Sequence, residues 1–360
     1  MTKHLVAPRD IFELRLSQIW ADRLRRNSVG VNSDFFALGG DRAMAQAVLA
    51  AIAAQFGTAL SLETFLEGPT IERLACHLRK RSQHLNGEPL VALQPNGGKR
   101  PFFFLPGDGN VFNFHDLAHR WAPDQPLYGL QARGMHGEQP PHNRVEDLAA
   151  DFIESMRAVQ PRGPYLLGGH CTGAMVALEM ALQLQRRGER VAMLAAVEAL
   201  APAVFRLGNY TMADDPIDFY IFYARGFRSW LRKEMPVERN ALLACDPSRR
   251  AGYFMALARR LGVYVPDAPD DHVDHVLALY RLFCRKAYVP AGIFAGPITF
   301  VRGLDSNFCE TATGGWEDVS TQPLRIRELP GNHCTVLTEP NVGLLTHELR
   351  AAIAEASQSL

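Results

Sequence analysis

The chain has 360 residues, 47% of them hydrophobic and 21% charged, which suits a soluble globular protein of one or two domains plus an insertion. Its 38 Lys+Arg are balanced by 38 Asp+Glu, and a net charge of zero argues against a general nucleic-acid binder. No apolar run approaches the ~18 residues that a membrane helix needs.

The opening MTKHLVAPRD is polar and lacks the apolar core of a signal peptide. Residues 9–81 read as all-helical. Phe12, Leu16, Ile19, Trp20 and Leu24 recur at helical spacing. After the loop NSVGVNSDFFALGGD, a second helix runs from about Arg42 to Phe56, with Met44, Val48, Leu49 and Ile52 on one side and Gly57 as its stop. A third begins near GPTIERLACHL, with Pro69 placed for a first turn. Residues 82–100 mix Asn, Gly, Pro and Lys with little periodicity and read as a linker.

From residue 101 to 356 strands and helices alternate. PFFFL, PYLLGG, VAMLAAV and PITFVRG are short apolar runs of the kind buried on both faces of a sheet. TGAMVALEMALQLQRRGE is a helix with Val176, Met180 and Leu184 on its apolar side, and NVGLLTHELRAAIAEA is a terminal helix. This predicts an α/β fold with a mainly parallel sheet and helices on both faces. Residues 201–292 interrupt it with a mostly helical, aromatic-rich stretch, expected to form a lid. The lid carries Arg225, Arg228, Arg232 and Lys233 around Phe227 and Trp230; these read as a solvated face, with attraction of an anionic substrate as the alternative. Tyr220, Phe222 and Tyr223 are expected in the lid core.

The chemistry concentrates at GGHCTGA. PYLLGG runs directly into His170-Cys171-Thr172-Gly173 and then a helix, the strand–turn–helix context of a nucleophile elbow, with sulfur where serine is usual. The helix N-terminus favours negative charge, which a thiol needs because the thiolate is the nucleophile. A buried small hydrophobe is the commoner fate of a cysteine; in this turn Cys171 is expected to be the nucleophile. His333, in LPGNHCTVLTEP, is the expected base, because nucleophile, acid and histidine in that order fit an α/β-hydrolase. His170 is too near Cys171 in the turn for that role. Two carboxylates compete to orient His333: Glu198 at the end of VAMLAAV and Asp305 after PITFVRG. The oxyanion-hole N–H groups are expected from Thr172 and from Gly107 in LPGDGN, with Asp108 its rival. Cys76, Cys171, Cys245, Cys284, Cys309 and Cys334 are scattered with no C-x-x-C pair. That spacing indicates neither a metal site nor a disulfide framework, and a reducing cytoplasm is expected.

These pieces resemble two known families. DFFALGGD resembles the core motif of a peptidyl carrier domain of nonribosomal peptide synthetases. PLVALQ, PFFFLPGDG, PLYGLQARG, PYLLGGHCTG, VAMLAAVEAL, AYVPAGIFAGPITFVRG and LPGNHCTVLTEP, in that order, resemble the type I thioesterase domain that ends such assembly lines. The resemblance implies upstream modules as partners, docking of the carrier on the thioesterase, and a peptidyl thioester on a 4'-phosphopantetheine arm. The nucleophile would take the peptide, and water or an internal group would release it. The acid lies at the position of Glu198, where the family usually has Asp. A minority of the family resembles this chain in using cysteine, and some of those close four-membered β-lactam or β-lactone rings. The expected product is such a ring, with a linear or large-ring peptide as the alternative. The family has Ser directly after GGD; this chain has Arg42, which lacks the hydroxyl that the arm is esterified to. A degenerate carrier serving as a docking module is the non-catalytic alternative.

Overall fold

A computed structural model describes residues 6–56, 58–81, 89–107, 109–121, 123–133, 141–207, 216–231, 234–268, 270, 272–284, 288–306 and 311–358. It divides into two compact units, Met1–Glu88 with Ala258–Pro269, and Pro89–Leu257 with Asp270–Leu360.

The first unit is built on α1 (Ile11–Leu24), α2 (Arg42–Phe56), α3 (Leu62–Glu67) and α4 (Ile71–Arg81). Asp10 starts α1 by accepting the Glu13 N–H at 2.8 Å, and Arg25 ends it in a left-handed turn at φ 52°. The helical spacing of Phe12, Leu16 and Trp20 puts all three in the core. Trp20 meets Phe35 edge-on at 4.7 Å, and Phe35 meets Phe65 the same way at 5.1 Å. α3 was not expected, because six residues are too few to show a period. α4 begins at Ile71, so Pro69 lies ahead of the helix rather than in its first turn. There Thr70 accepts the Arg73 N–H at 3.3 Å and acts as the cap. Gly57 lies outside the described residues.

Residues 258–269, expected in the lid, belong to this helical unit. Arg79 reaches Asp10 at 2.5 Å and Asp267 at 2.6 Å, and its guanidinium is only 11% exposed. Arg9 bonds Glu13 at 2.6 Å and Glu72 at 2.7 Å. Burial pulls the Arg79 pKa down, but Asp10, Asp267 and Glu13 outweigh it and hold the guanidinium charged.

The second unit carries a seven-stranded sheet, ordered β1-β3-β2-β4-β5-β6-β7. The strands are β1 (Leu90–Gln94), β2 (Phe102–Leu105), β3 (Leu127–Leu130), β4 (Tyr165–His170), β5 (Val191–Val197), β6 (Ile298–Gly303) and β7 (Arg325–Leu329). All neighbours are parallel except the edge pair β1 and β3. β2, β4 and β5 are buried along their whole length, which is why they read as unbroken apolar runs. β1 lies inside the stretch read as a linker, and its burial alternates as an edge strand's does. β3 is only four residues long and contains Gly129.

Helices α5 (His115–Arg120), α6 (Val145–Arg157), α7 (Gly173–Arg186) and α13 (Val342–Gln358) flank this sheet. α6 packs with α7 and α5 with α13, while α7 and α13 both lie on β5. The inserted stretch forms α8 (Pro202–Leu207), α9 (Pro216–Leu231), α10 (Arg239–Ala244), α11 (Arg250–Arg260) and α12 (His272–Cys284). Tyr220 and Tyr223 are buried and pack on Phe254, but Phe222 is 50% exposed on the other side of α9. Arg225 is exposed. Arg232 and Lys233, and the side chains of Phe227, Arg228 and Trp230, lie outside the described residues. Among the described residues no helix is long and apolar enough to cross a membrane.

One feature of the sheet places the site. The chain leaves β2 for β3 on one side and leaves the neighbouring β4 for β5 on the other, so the connections from these two adjacent strands run in opposite directions. The crevice beyond the carboxyl ends of β2 and β4 is then a switch point, where open α/β sheets bind ligands.

Candidate active site

β4 ends at His170, and the next residue, Cys171, is left-handed at φ 55°. A non-glycine residue there costs about 1–3 kcal/mol and needs its surroundings to hold it. The Cys171 N–H donates to the Val197 carbonyl of β5 at 3.1 Å, and its own carbonyl accepts from Ala174 at 3.1 Å. Two glycines make the turn possible. A methyl on Gly169 would strike the backbone of Gly173 and Ala174, and one on Gly173 would strike the Leu105 and Pro106 carbonyls. The thiol is thereby held where β4 meets the first turn of α7.

Gly107, just beyond β2, comes against this thiol. A methyl there would lie 2.6 Å from Cys171 Cβ and 3.2 Å from Sγ. Thr172 Oγ1 donates to the Gly107 carbonyl at 2.6 Å, tying the two expected oxyanion-hole residues together. Asp108 lies outside the described residues.

His333 sits in the loop after β7, shaped by Asn332, whose Oδ1 accepts the N–H groups of Cys334 and Thr335 at 3.1 Å each. Burial alone would lower the His333 pKa. Its interaction with Cys171, then the charge of the Glu198 carboxylate beside the ring, outweigh this and raise it to about 10. His333 Nδ1 is 3.6 Å from Glu198 Oε2.

Glu198 follows β5 directly, wholly buried and left-handed at φ 46°. Its Oε1 accepts the Gly303 N–H, and its Oε2 accepts the Ser306 hydroxyl at 2.6 Å. The other candidate acid, Asp305, is engaged differently. Its Oδ2 accepts the Gly331 N–H at 3.0 Å and its own N–H donates to the Gly331 carbonyl at 2.9 Å, bracing the loop that leads to His333.

Two further residues enter the site. His170 is buried, and its Nε2–H donates to the His333 carbonyl at 2.7 Å. Burial, then the charge on His333, drops the His170 pKa to about 3, so the ring is neutral. Ser306 adds the hydroxyl on Glu198. Proximity in the turn disqualified His170 as a base and hid its other contact, and nothing in the spacing of Ser306 marks it. No group of three or more His, Cys, Asp or Glu among the described residues is placed to hold a metal ion.

In the helical unit, Arg42 is the first residue of α2, exposed to solvent. Asp41 before it caps the helix by accepting the Met44 N–H at 2.7 Å. A 4'-phosphopantetheine is esterified to a hydroxyl, and Arg42 offers none, so this position does not fit the group.

A parallel sheet with one antiparallel edge, a left-handed residue between strand and helix, and a histidine after the last strand define an α/β-hydrolase fold. Residues 101–350 match the thioesterase domain family, and residues 15–78 match the phosphopantetheine attachment site family. The chain belongs to the thioesterase domain family. It is 29% identical over 376 residues to the chondramide synthase of Chondromyces crocatus, covering 98% of this chain and 9% of the relative. It is 29% identical over 356 residues to the indigoidine synthase of Dickeya dadantii, covering 96% of this chain and 23% of that protein. The chain thus spans a quarter or less of these relatives. Among solved structures, a four-domain nonribosomal peptide synthetase, holo-AB3403 bound to AMP and glycine, superposes with a TM-score of 0.85 at 25% identity, covering 98% of this chain and 27% of that one. A NocB thioesterase domain, in covalent complex with a fluorophosphonate nocardicin G analogue, has a TM-score of 0.51 at 22% identity, covering 73% and 98% of the two chains.

Proposed function

We propose that this thioesterase releases a carrier-bound peptidyl thioester in nonribosomal peptide synthesis through an acyl-enzyme on Cys171. The observation that carries the reading is the line from Cys171 to His333 to the buried Glu198, with Nδ1 and Oε2 at 3.6 Å. His333 pairs with the thiolate, and Glu198 stabilises the imidazolium. Asp305 is spent on Gly331, which favours Glu198 as the acid. Cys171 Sγ attacks the thioester carbonyl, and the developing oxyanion is met by the N–H groups of Gly107 and Thr172. The tetrahedral adduct expels the carrier's thiol, which leaves with the proton of the His333 imidazolium, and the peptide is now a thioester of Cys171.

The second step is ring closure. Transfer to a serine would give an oxoester, which is stabilised by resonance. Transfer to Cys171 keeps the acyl group a thioester, and thiolate is the better leaving group because its conjugate acid is stronger. Both favour an internal β-amine or β-hydroxyl closing a strained four-membered lactam or lactone, with His333 receiving the attacking group's proton. The test is a soluble acyl thioester bearing such a β-group, with product mass as the readout. The ring is lighter than the acid by one water. Parent enzyme yielding the ring, and Cys171→Ser yielding acid or stalling as acyl-enzyme, is the expected result. Acid alone from the parent would reassign it as a hydrolase.

A further inference from the structure

We propose that the thioester consumed at Cys171 is delivered by a phosphopantetheinyl carrier domain outside residues 11–81, docking on the thioesterase from elsewhere. The inference rests on the thioesterase reading above and names the partner that reading requires.

The argument starts at α2. The arm is joined through a phosphodiester to a side-chain hydroxyl, and the family places that hydroxyl where Arg42 stands. No neighbouring residue could substitute for it. From Phe35 to Phe56, through the turn and the whole of α2, the chain contains no Ser, Thr or Tyr. The flanking hydroxyls belong to Ser33, ahead of the turn, and to Thr58, beyond the end of α2. Neither lies at the start of the helix.

The rest of the turn is intact. Asp34 Oδ1 accepts the N–H groups of Phe36 and Ala37 at 2.9 Å each. Gly40 packs so tightly on the Phe35 ring that a methyl there would strike it. Asp41 caps α2, and Trp20, Phe35 and Phe65 fill the core beneath. The first helical position is exposed, so replacing a serine there leaves the packing beneath untouched and the fold survives without the hydroxyl. The helical unit therefore keeps a carrier's shape and lacks a carrier's cargo. A peptidyl thioester reaching Cys171 must come on another arm. In the transfer, the carbonyl–sulfur bond to that arm breaks as the bond to Cys171 Sγ forms, and the free carrier thiol departs.

The experiment uses the intact chain and a separate serine-bearing carrier domain. Both are incubated with coenzyme A and a phosphopantetheinyl transferase and weighed. The carrier should gain one phosphopantetheine, and this chain should gain none. The carrier is then acylated and mixed with the chain, and its deacylation is followed by mass; the rate should saturate as carrier concentration rises. In parallel, the chain is given an N-acetylcysteamine thioester of the same acyl group. Turnover of the small thioester without deacylation of the carrier overturns the proposal while leaving the thioesterase reading standing. A phosphopantetheine gained by the chain itself also overturns it. Failure to consume the small thioester removes the thioesterase reading and the proposal together.

Discussion

His170 Nε2 lies 2.7 Å from the carbonyl oxygen of His333, and the two rings stand 4.6 Å apart, centroid to centroid. A carbonyl can only accept, so the neutral His170 ring carries its proton on Nε2 and holds the backbone of the loop that aims His333. A positively charged His170 would repel the imidazolium beside it.

His170→Phe removes the donor and keeps an aromatic ring. We expect kcat to fall about fivefold with KM little changed, matching the ~1 kcal/mol of one hydrogen bond lost from the loop. His170→Gln, which retains an N–H donor, should recover most of it. Steady-state kinetics on a small thioester check this; equal losses in both variants would mean that ring packing, not the hydrogen bond, matters.

Glu198→Gln should lower kcat by about 10²-fold, or about 2.7 kcal/mol of barrier, because the amide keeps the size and loses the charge facing the imidazolium. Asp305→Asn should cost much less, since its carboxylate braces Gly331. The reverse ranking in the same assay would move the acid to Asp305.

His333 is raised from 6.5 to about 10 by Cys171 and Glu198 against the opposing effect of burial. It should remain protonated at neutral pH. A raised pKa in the folded state contributes stability that is fully present below about pH 6.5 and lost as pH rises toward 10. Cys171→Ala removes the partner that raises it most, so the His333 midpoint should fall. NMR titration of the ring carbons reads this directly, and an unchanged midpoint would refute the pairing.

Arg79→Ala leaves Asp10, 2% exposed, as a buried carboxylate without its cation. A loss of about 3–5 kcal/mol is expected in the stability of the helical unit. Asp267→Ala should cost less, because Asp267 is 25% exposed. Amide hydrogen exchange in residues 258–269 should quicken in both variants.

Arg42→Ser restores the missing hydroxyl on an otherwise complete turn. Incubated with coenzyme A and a phosphopantetheinyl transferase, it should gain the mass of one phosphopantetheine. No gain would mean that the surface the transferase reads has departed from a carrier's as well.

The strand–turn–helix at Cys171 was legible in the sequence. Gly169 and Gly173 around Cys171, after an apolar run and before a helical period, allow one turn only, because those glycines are needed for backbone approach. β2, β4, β5 and β6 were legible because burial on both faces demands apolar side chains throughout. β1 and β3 were not: an edge strand and a four-residue strand containing glycine carry too little pattern, and only pairing with each other and with β2 makes them strands. Chain order placed a histidine and two acids in range, but it could not rank the acids. Glu198 and Asp305 both follow strands, and what separates them is that Glu198 faces His333 while Asp305 is tied to Gly331. That depends on loops folding back over the sheet, as do the contacts of His170 and Ser306 and the pairing of Arg79 with Asp267. Each joins residues far apart along the chain, a relation that local spacing does not encode and tertiary packing decides.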